Sequence, residues 1–156
     1  MRLAIGSDHA GYELKEAIKG YLDEQGLAYQ DFGTYSADSC DYPDFGLAVA
    51  EAVARGDFPL GILICGTGIG MSMVANKVPG VRAALCSDTF SAHSSREHNH
   101  ANILVLGARV VGTGLALDIV RTWLAASPLG GRHARRVEKI TAIEKKYGRE
   151  EGCWRK

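Results

Sequence analysis

Gly61-Ile62-Leu63-Ile64-Cys65-Gly66-Thr67-Gly68-Ile69-Gly70 is an apolar run of β type that ends in a cysteine and enters a glycine-rich turn. Met71-Ser72-Met73-Val74-Ala75-Asn76-Lys77, which follows, reads as a helix. Strand, tight turn and helix in that order form the unit of a parallel α/β sheet, whose ligands bind at the C-terminal edges of the strands. Cys65 falls at that edge and faces the N–H groups of a helix start. Such dipoles favour negative charge and therefore the thiolate. A thiolate beside oriented amides pairs a base or nucleophile with an oxyanion hollow.

The alternation continues in both directions. Leu3-Ala4-Ile5-Gly6 is a short buried strand, and Leu14, Ala17, Ile18, Tyr21 and Leu22 follow at helical spacing up to Gly26. Leu27-Ala28-Tyr29-Gln30-Asp31 is a weaker strand, and residues 32–40 form a polar loop. Asp41 is placed to cap a helix with Pro43 in its first turn and Phe45, Ala48, Val49, Ala52 and Val53 on its apolar face. Residues 81–86 read as a strand, Ser87-Asp88-Thr89 as a helix start, and residues 103–107 as a further strand. Helices are expected over 113–126 and 132–147. The pattern predicts an α/β fold, a three-layer α/β/α sandwich around a parallel sheet. Residues 1–147 are expected to form one domain. Residues 148–156, with Cys153 and Trp154, read as a charged tail without an assigned role.

The bulk properties exclude some classes of function. A chain of 156 residues with 46% hydrophobic content suits one domain with a sizeable core. Zero net charge argues against binding nucleic acid or a membrane surface through bulk electrostatics. The charge is uneven: residues 129–156 carry nine Lys/Arg and four Asp/Glu, net +5, and residues 1–128 carry nine and fourteen, net −5. A basic C-terminal segment suits an anionic small molecule. No run is apolar for a membrane-spanning length and no charged-then-apolar leader opens the chain, so a cytoplasmic protein is expected. Cys40, Cys65, Cys86 and Cys153 show no paired spacing, and free thiols are expected.

Four motifs carry chemistry. The glycine loop lacks the Gly-Lys-Ser/Thr of a Walker loop, and Met71 stands where a dinucleotide fingerprint has its last glycine. A plain tight turn and an anion site are both open to it; Cys65 directly before the glycines favours chemistry, whereas Cys86 reads as a structural core thiol. Ser7-Asp8-His9-Ala10-Gly11 follows the first strand and belongs on the same sheet edge as Cys65. Asp8 and His9 suit a sugar hydroxyl and a phosphate, although Asp8 is equally placed to cap the next helix. Arg96-Glu97-His98-Asn99-His100 ends a helix that includes His93; the three histidines fit no standard zinc spacing, and no metal is expected. A histidine at a helix C-terminus is commonly a solvated cation, and His98 is also suited to moving protons. In Gly130-Gly131-Arg132-His133-Ala134-Arg135-Arg136, Arg132 and Arg136 share one helix face and make a phosphate clamp or a solvated basic face, while Arg135 points elsewhere. Arg109, just after the fifth strand, adds an anion contact at the sheet edge.

These residues taken together identify a resemblance. Gly6 to Gly11, Asp41-Tyr42-Pro43, Ile64 to Gly70, Ala75-Asn76-Lys77, Ser95 to Asn99, Gly130 to His133 and Arg136-Val137 closely resemble the ribose/galactose isomerase family, and within it the type B ribose-5-phosphate isomerases. The resemblance covers residues 1 to about 147. It implies about five parallel strands in a Rossmann-like sheet and interconversion of ribose 5-phosphate and ribulose 5-phosphate through an enediolate. It implies that Cys65 is the base moving a proton between C1 and C2. The amides of Gly66, Gly68, Ile69 and Gly70, with Thr67, would hold the enediolate oxygens. His98 would help open the furanose ring, Asp8, Tyr42 and Asn99 would meet sugar hydroxyls, and His9, Arg109, Arg132 and Arg136 would lie near the phosphate. Relatives that use a glutamate instead have it further along the loop; Met71, Ser72, Met73 and Val74 stand there, which places this chain in the cysteine branch. The family implies a homodimer or tetramer with sites at the subunit interface, and no cofactor.

Three rivals remain at this level. Allose 6-phosphate or galactose 6-phosphate would use the same chemistry. A flavodoxin-like nucleotide-binding module would explain the glycines but leave Cys65 and His98 unused. A non-catalytic scaffold would make Cys65 no more reactive than Cys86.

Overall fold

The computed structural model describes residues 2–148, so of the tail expected over 148–156, residues 149–156, with Cys153 and Trp154, lie outside the described residues. The strands are β1 (Arg2–Ser7), β2 (Ala28–Asp31), β3 (Leu60–Cys65), β4 (Ala83–Leu85) and β5 (Ile103–Gly107). The helices are α1 (Tyr12–Glu24), α2 (Tyr42–Ala54), α3 (Ile69–Ala75), α4 (Thr89–Asn99), α5 (Thr113–Ala125) and α6 (Arg132–Tyr147). A short 3-10 turn, His9–Gly11, links β1 to α1.

The five strands run parallel in the order β2-β1-β3-β5-β4. Direction of travel across the sheet reverses between β1 and β3, the place where open α/β sheets form a crevice. A flavodoxin-like sheet orders its strands 2-1-3-4-5; here β5 is inserted between β3 and β4.

Period-2 alternation sends each strand's side chains to two cores. Leu3, Ile5, Ile62, Ile64, Leu104 and Leu106 pack with Leu14, Ile18 and Leu22 of α1, Ala92 of α4, and Ile119, Val120 and Trp123 of α5. Ala4, Leu63, Cys65, Ile103 and Val105 pack on the other face with Val49, Ala50 and Val53 of α2 and Met71 and Ala75 of α3. The three-layer sandwich expected from the sequence is therefore formed. Helix α6 packs on α4 and buries only His133 and Val137.

Some local expectations shift. The third helix begins at Ile69 rather than Met71, because Gly68 takes a left-handed conformation (φ 80°) and turns the chain at once into α3. Asp41 occupies the cap position of α2 but makes no side-chain capping bond. The fourth strand is only three residues long. Side chains supplement its ladder: Asn102 Oδ1 accepts from the Arg82 amide at 2.7 Å, and the Asn76 side chain exchanges two 2.9 Å bonds with the Ala83 amide and carbonyl.

A buried cation braces the segment after β2. Lys15 is fully buried, and its Nζ donates at 2.7 Å to both Asp31 carboxylate oxygens and to the Thr34 carbonyl. Burial acts to raise the Asp31 carboxyl. Hydrogen bonds from Lys15, the Gly33 amide and Lys19 outweigh it and hold the group below the usual carboxylate range.

Candidate active site

Three adjacent strands deliver their C-terminal ends to one place. Asp8 follows β1, Cys65 closes β3, and Arg109 follows β5. A cleft of about 490 Å³ opens there, lined by Asp8, His9, Ala10, Tyr42, Cys65, Gly66, Thr67, Ile69, Gly70, Met73 and Arg109. The expectation that Asp8 and Cys65 share a sheet edge is met, and Tyr42 reaches the same cleft from the start of α2.

Cys65 is 5% exposed, and its Sγ accepts a hydrogen bond from the Gly68 amide at 3.1 Å. The loop folds so because its own polar groups close it. Ser72 bonds back to the Gly68 carbonyl at 3.0 Å, and the Ile69 amide donates to Thr67 Oγ1 at 3.3 Å. The segment after β5 seals the other side: the Ala108 amide donates to the Cys65 carbonyl at 2.8 Å and the Arg109 amide to the Gly66 carbonyl at 2.9 Å. A Cβ at Gly70 would meet the Tyr42 ring at 2.6 Å, so any side chain there displaces that ring.

Asp8 does cap, as its structural reading required: Oδ1 accepts from the Gly11 amide at 2.9 Å. The carboxylate still lines the cleft with its second oxygen uncommitted to that bond. His9 is held by a residue that sequence reading overlooked. The Cys40 amide donates to His9 Nδ1 at 3.2 Å, and the Cys40 Sγ is 3.8 Å from the same nitrogen. With Nδ1 accepting, a neutral ring carries its proton on Nε2 and offers a donor. Nothing in the local sequence marks Cys40, which is 31 residues from His9.

His98, Asn99, Arg132 and Arg136 do not line this cleft. They gather instead where the end of α4 meets the start of α6. His98 lies flat against His133, ring centroids 4.2 Å apart and planes 9° from parallel. Arg132 and Arg136 are exposed on one face of α6, and Arg135 is an exposed charge as expected. His93 and His98 of α4 and His100 just after it diverge: His93 faces Glu97 at 3.3 Å, His98 stacks, and His100 Nε2 meets the Leu129 carbonyl at 2.8 Å. Among the described residues no three His, Cys, Asp or Glu side chains form a ligand cluster. Nor is any described helix long and apolar enough to cross a membrane.

Cys86 lies in the other core, away from the cleft. It is 3% exposed within the α1/α5 core, and burial pushes its thiol up to about 11, against a hydrogen bond from Ser95 and with the Asp88 charge adding to the rise.

Sequence and structure comparisons point the same way. The Ribose/Galactose Isomerase family model matches residues 3–140. Ribose-5-phosphate isomerase B of Escherichia coli is 51% identical over 145 residues, covering 93% of this chain and 97% of that protein. A D-erythrulose-4-phosphate isomerase of Pectobacterium atrosepticum is 46% identical over 145 residues, covering 92% and 95%. The solved structure of Clostridium thermocellum ribose-5-phosphate isomerase B superimposes with a TM-score of 0.93 at 61% identity, covering 94% of this chain and 99% of that one.

Proposed function

The chain belongs to the ribose/galactose isomerase family, and from that premise we propose that it interconverts ribose 5-phosphate and ribulose 5-phosphate through an enediolate. The observation that carries the reading is the Cys65 sulfur, set at the end of the central strand β3 with the Gly68 amide 3.1 Å away, inside a cleft that also holds Asp8, His9, Tyr42 and Arg109.

The C2 proton of an aldose is weakly acidic, so its removal needs a base and a stabilised oxyanion together. Cys65 as thiolate takes that proton and returns it to C1. Between the two steps the negative charge rests on the sugar oxygens, against the amides of Gly66, Gly68, Ile69 and Gly70 and the Thr67 hydroxyl. The Gly68 hydrogen bond strengthens whenever the sulfur is anionic, because one partner is then charged. Asp8 and Tyr42 orient sugar hydroxyls. His9 and Arg109 meet the phosphate, whose binding energy holds the reacting carbons in place.

His98, Asn99, Arg132 and Arg136 complete the site in this reading by serving the cleft of a second copy. The separation of the two groups within one chain supports a composite site in a homodimer or tetramer. Residues 1–147 then constitute one isomerase domain, and a cytoplasmic location belongs to the same proposal.

The relative named for D-erythrulose 4-phosphate favours a second reading in which the sugar has a different length. Purified protein in excess chelator, offered four-, five- and six-carbon sugar phosphates with Cys65→Ala alongside, tests both. Turnover of the pentose by the wild type alone supports the first. Turnover only of a tetrose or hexose phosphate moves the substrate, and full activity of the variant removes Cys65 as base.

A further inference from the structure

His133 is one of the two residues that α6 buries, yet the reading above gives it no task. Its imidazole lies face to face with that of His98, 4.2 Å between centroids. Its Nε2 accepts a hydrogen bond from Arg132 Nε at 3.3 Å. One buried ring therefore touches two exposed groups on different helices. Those two groups are the ones assigned to ring opening and to phosphate binding.

The contacts are of different kinds. A parallel ring face restricts how the His98 imidazole rotates, because any turn about its side-chain torsion breaks the overlap. An acceptor at Nε2 holds the Arg132 stem by its Nε–H and leaves both terminal NH2 groups free to form a fork on an anion. With Nε2 accepting, the neutral His133 ring carries its proton on Nδ1. Burial, then the charges of His98, Arg132 and Arg136, hold His133 below the usual imidazole range, with Glu97 acting in the opposite direction. Burial and the surrounding positive charges thus disfavour a proton on the second ring nitrogen of His133.

We infer that His133 is a positioning residue that fixes the His98 ring through its face and the Arg132 fork through its Nε2. The inference rests on the roles proposed above for His98 and Arg132. It predicts that the two effects come apart under substitution. His133→Phe keeps a flat ring and loses the acceptor; His133→Gln keeps an acceptor near the place of Nε2 and loses the ring.

The substrates allow the effects to be read separately. Ribose 5-phosphate enters as a furanose, whereas ribulose 5-phosphate cannot close one, because its C5 oxygen carries the phosphate. Exchange of the ribulose 5-phosphate C1 hydrogen in D2O therefore reports proton transfer without ring opening. His133→Phe is expected to raise KM for ribose 5-phosphate about tenfold, as one charge-assisted contact is loosened, with little change in kcat. His133→Gln is expected to lower the ratio of furanose turnover to deuterium wash-in by about tenfold or more, with little change in KM.

Wild-type constants in both variants overturn the inference. So does a parallel loss of turnover and wash-in, which marks a residue needed only for packing. His98→Asn run alongside separates the two layers of the argument. If it retains furanose turnover, the proposed role of His98 fails; if it loses turnover while His133→Gln does not, only the role of His133 fails.

Discussion

The Gly68 amide and the Cys65 sulfur, 3.1 Å apart, tie the strand end to the first turn of α3, and this bond exists only because Gly68 turns the chain at φ 80°. An added Cβ would collide with the Leu85 Cδ1 and come within 3.1 Å of the Leu106 carbonyl carbon. Gly68→Ala is therefore expected to cost about 1–3 kcal/mol through left-handed strain and crowding. A melting curve should show that loss together with a fall in kcat, since the sulfur's donor moves. Wild-type kcat would mean the bond does not matter to the chemistry.

Removing the proposed base should cost far more activity than stability. Cys65→Ala is expected to lower kcat about 10²- to 10⁴-fold, the usual worth of a general base. Iodoacetamide followed by peptide mapping near pH 8 should modify Cys65 well before Cys86, whose buried thiol is pushed up to about 11. Ribose 5-phosphate should protect Cys65. Equal labelling of both thiols would favour the scaffold alternative.

A composite site makes two dead variants rescue each other. Cys65→Ala and His98→Asn, each inactive alone, should regain activity when refolded as an equal mixture. In a two-fold dimer, random pairing restores about a quarter of the sites. No recovery, with mixed oligomers demonstrated by mass spectrometry, would place both residues in one chain's site.

Gly70 tests the reach of Tyr42. The Tyr42 ring is 39% exposed and can swing away from an added methyl group, so Gly70→Ala should leave the melting temperature nearly unchanged. The displaced hydroxyl should raise KM several-fold, on the scale of one lost hydrogen bond, about 1 kcal/mol. A large drop in stability with unchanged KM would contradict that account.

Asp31 sets the acid limit. Its folded value is depressed, so its contribution is fully present above the unfolded carboxylate value of about 3.9 and disappears as pH falls through the folded value. Melting temperature should thus decline below about pH 4 for the wild type. Asp31→Asn should lose about 3 kcal/mol at neutral pH, because buried Lys15 keeps only the Glu16 carboxylate at 3.6 Å as counter-charge. It should also show a weaker acid decline. Identical pH profiles would sink this assignment.

Local patterning made most of the elements legible. Residues 103–107 and 132–147 read as they fold, because a continuous apolar run and a Gly-Gly break before a basic amphipathic segment are strong signals. The Cys65 loop, Asp8 and Arg109 were placed on one edge by the rule that parallel strands end together. Other features depend on contacts that no short window contains. The bonds of Asn76 to Ala83 and of Asn102 to Arg82 brace β4 from 7 and 20 residues away. The His9–Cys40 bond and the His98–His133 stack join residues 31 and 35 positions apart, set by tertiary packing alone.

The Asn76 side chain imitates a neighbouring strand at the rim of the sheet. It satisfies the outward-facing N–H and C=O of Ala83, and the alternation of a three-residue β4 leaves only Leu85 facing the same way. So short an open rim offers no template for another chain's backbone. Extension of the sheet by a strand of a second copy is therefore disfavoured at the β4 rim, and β2 forms the other edge.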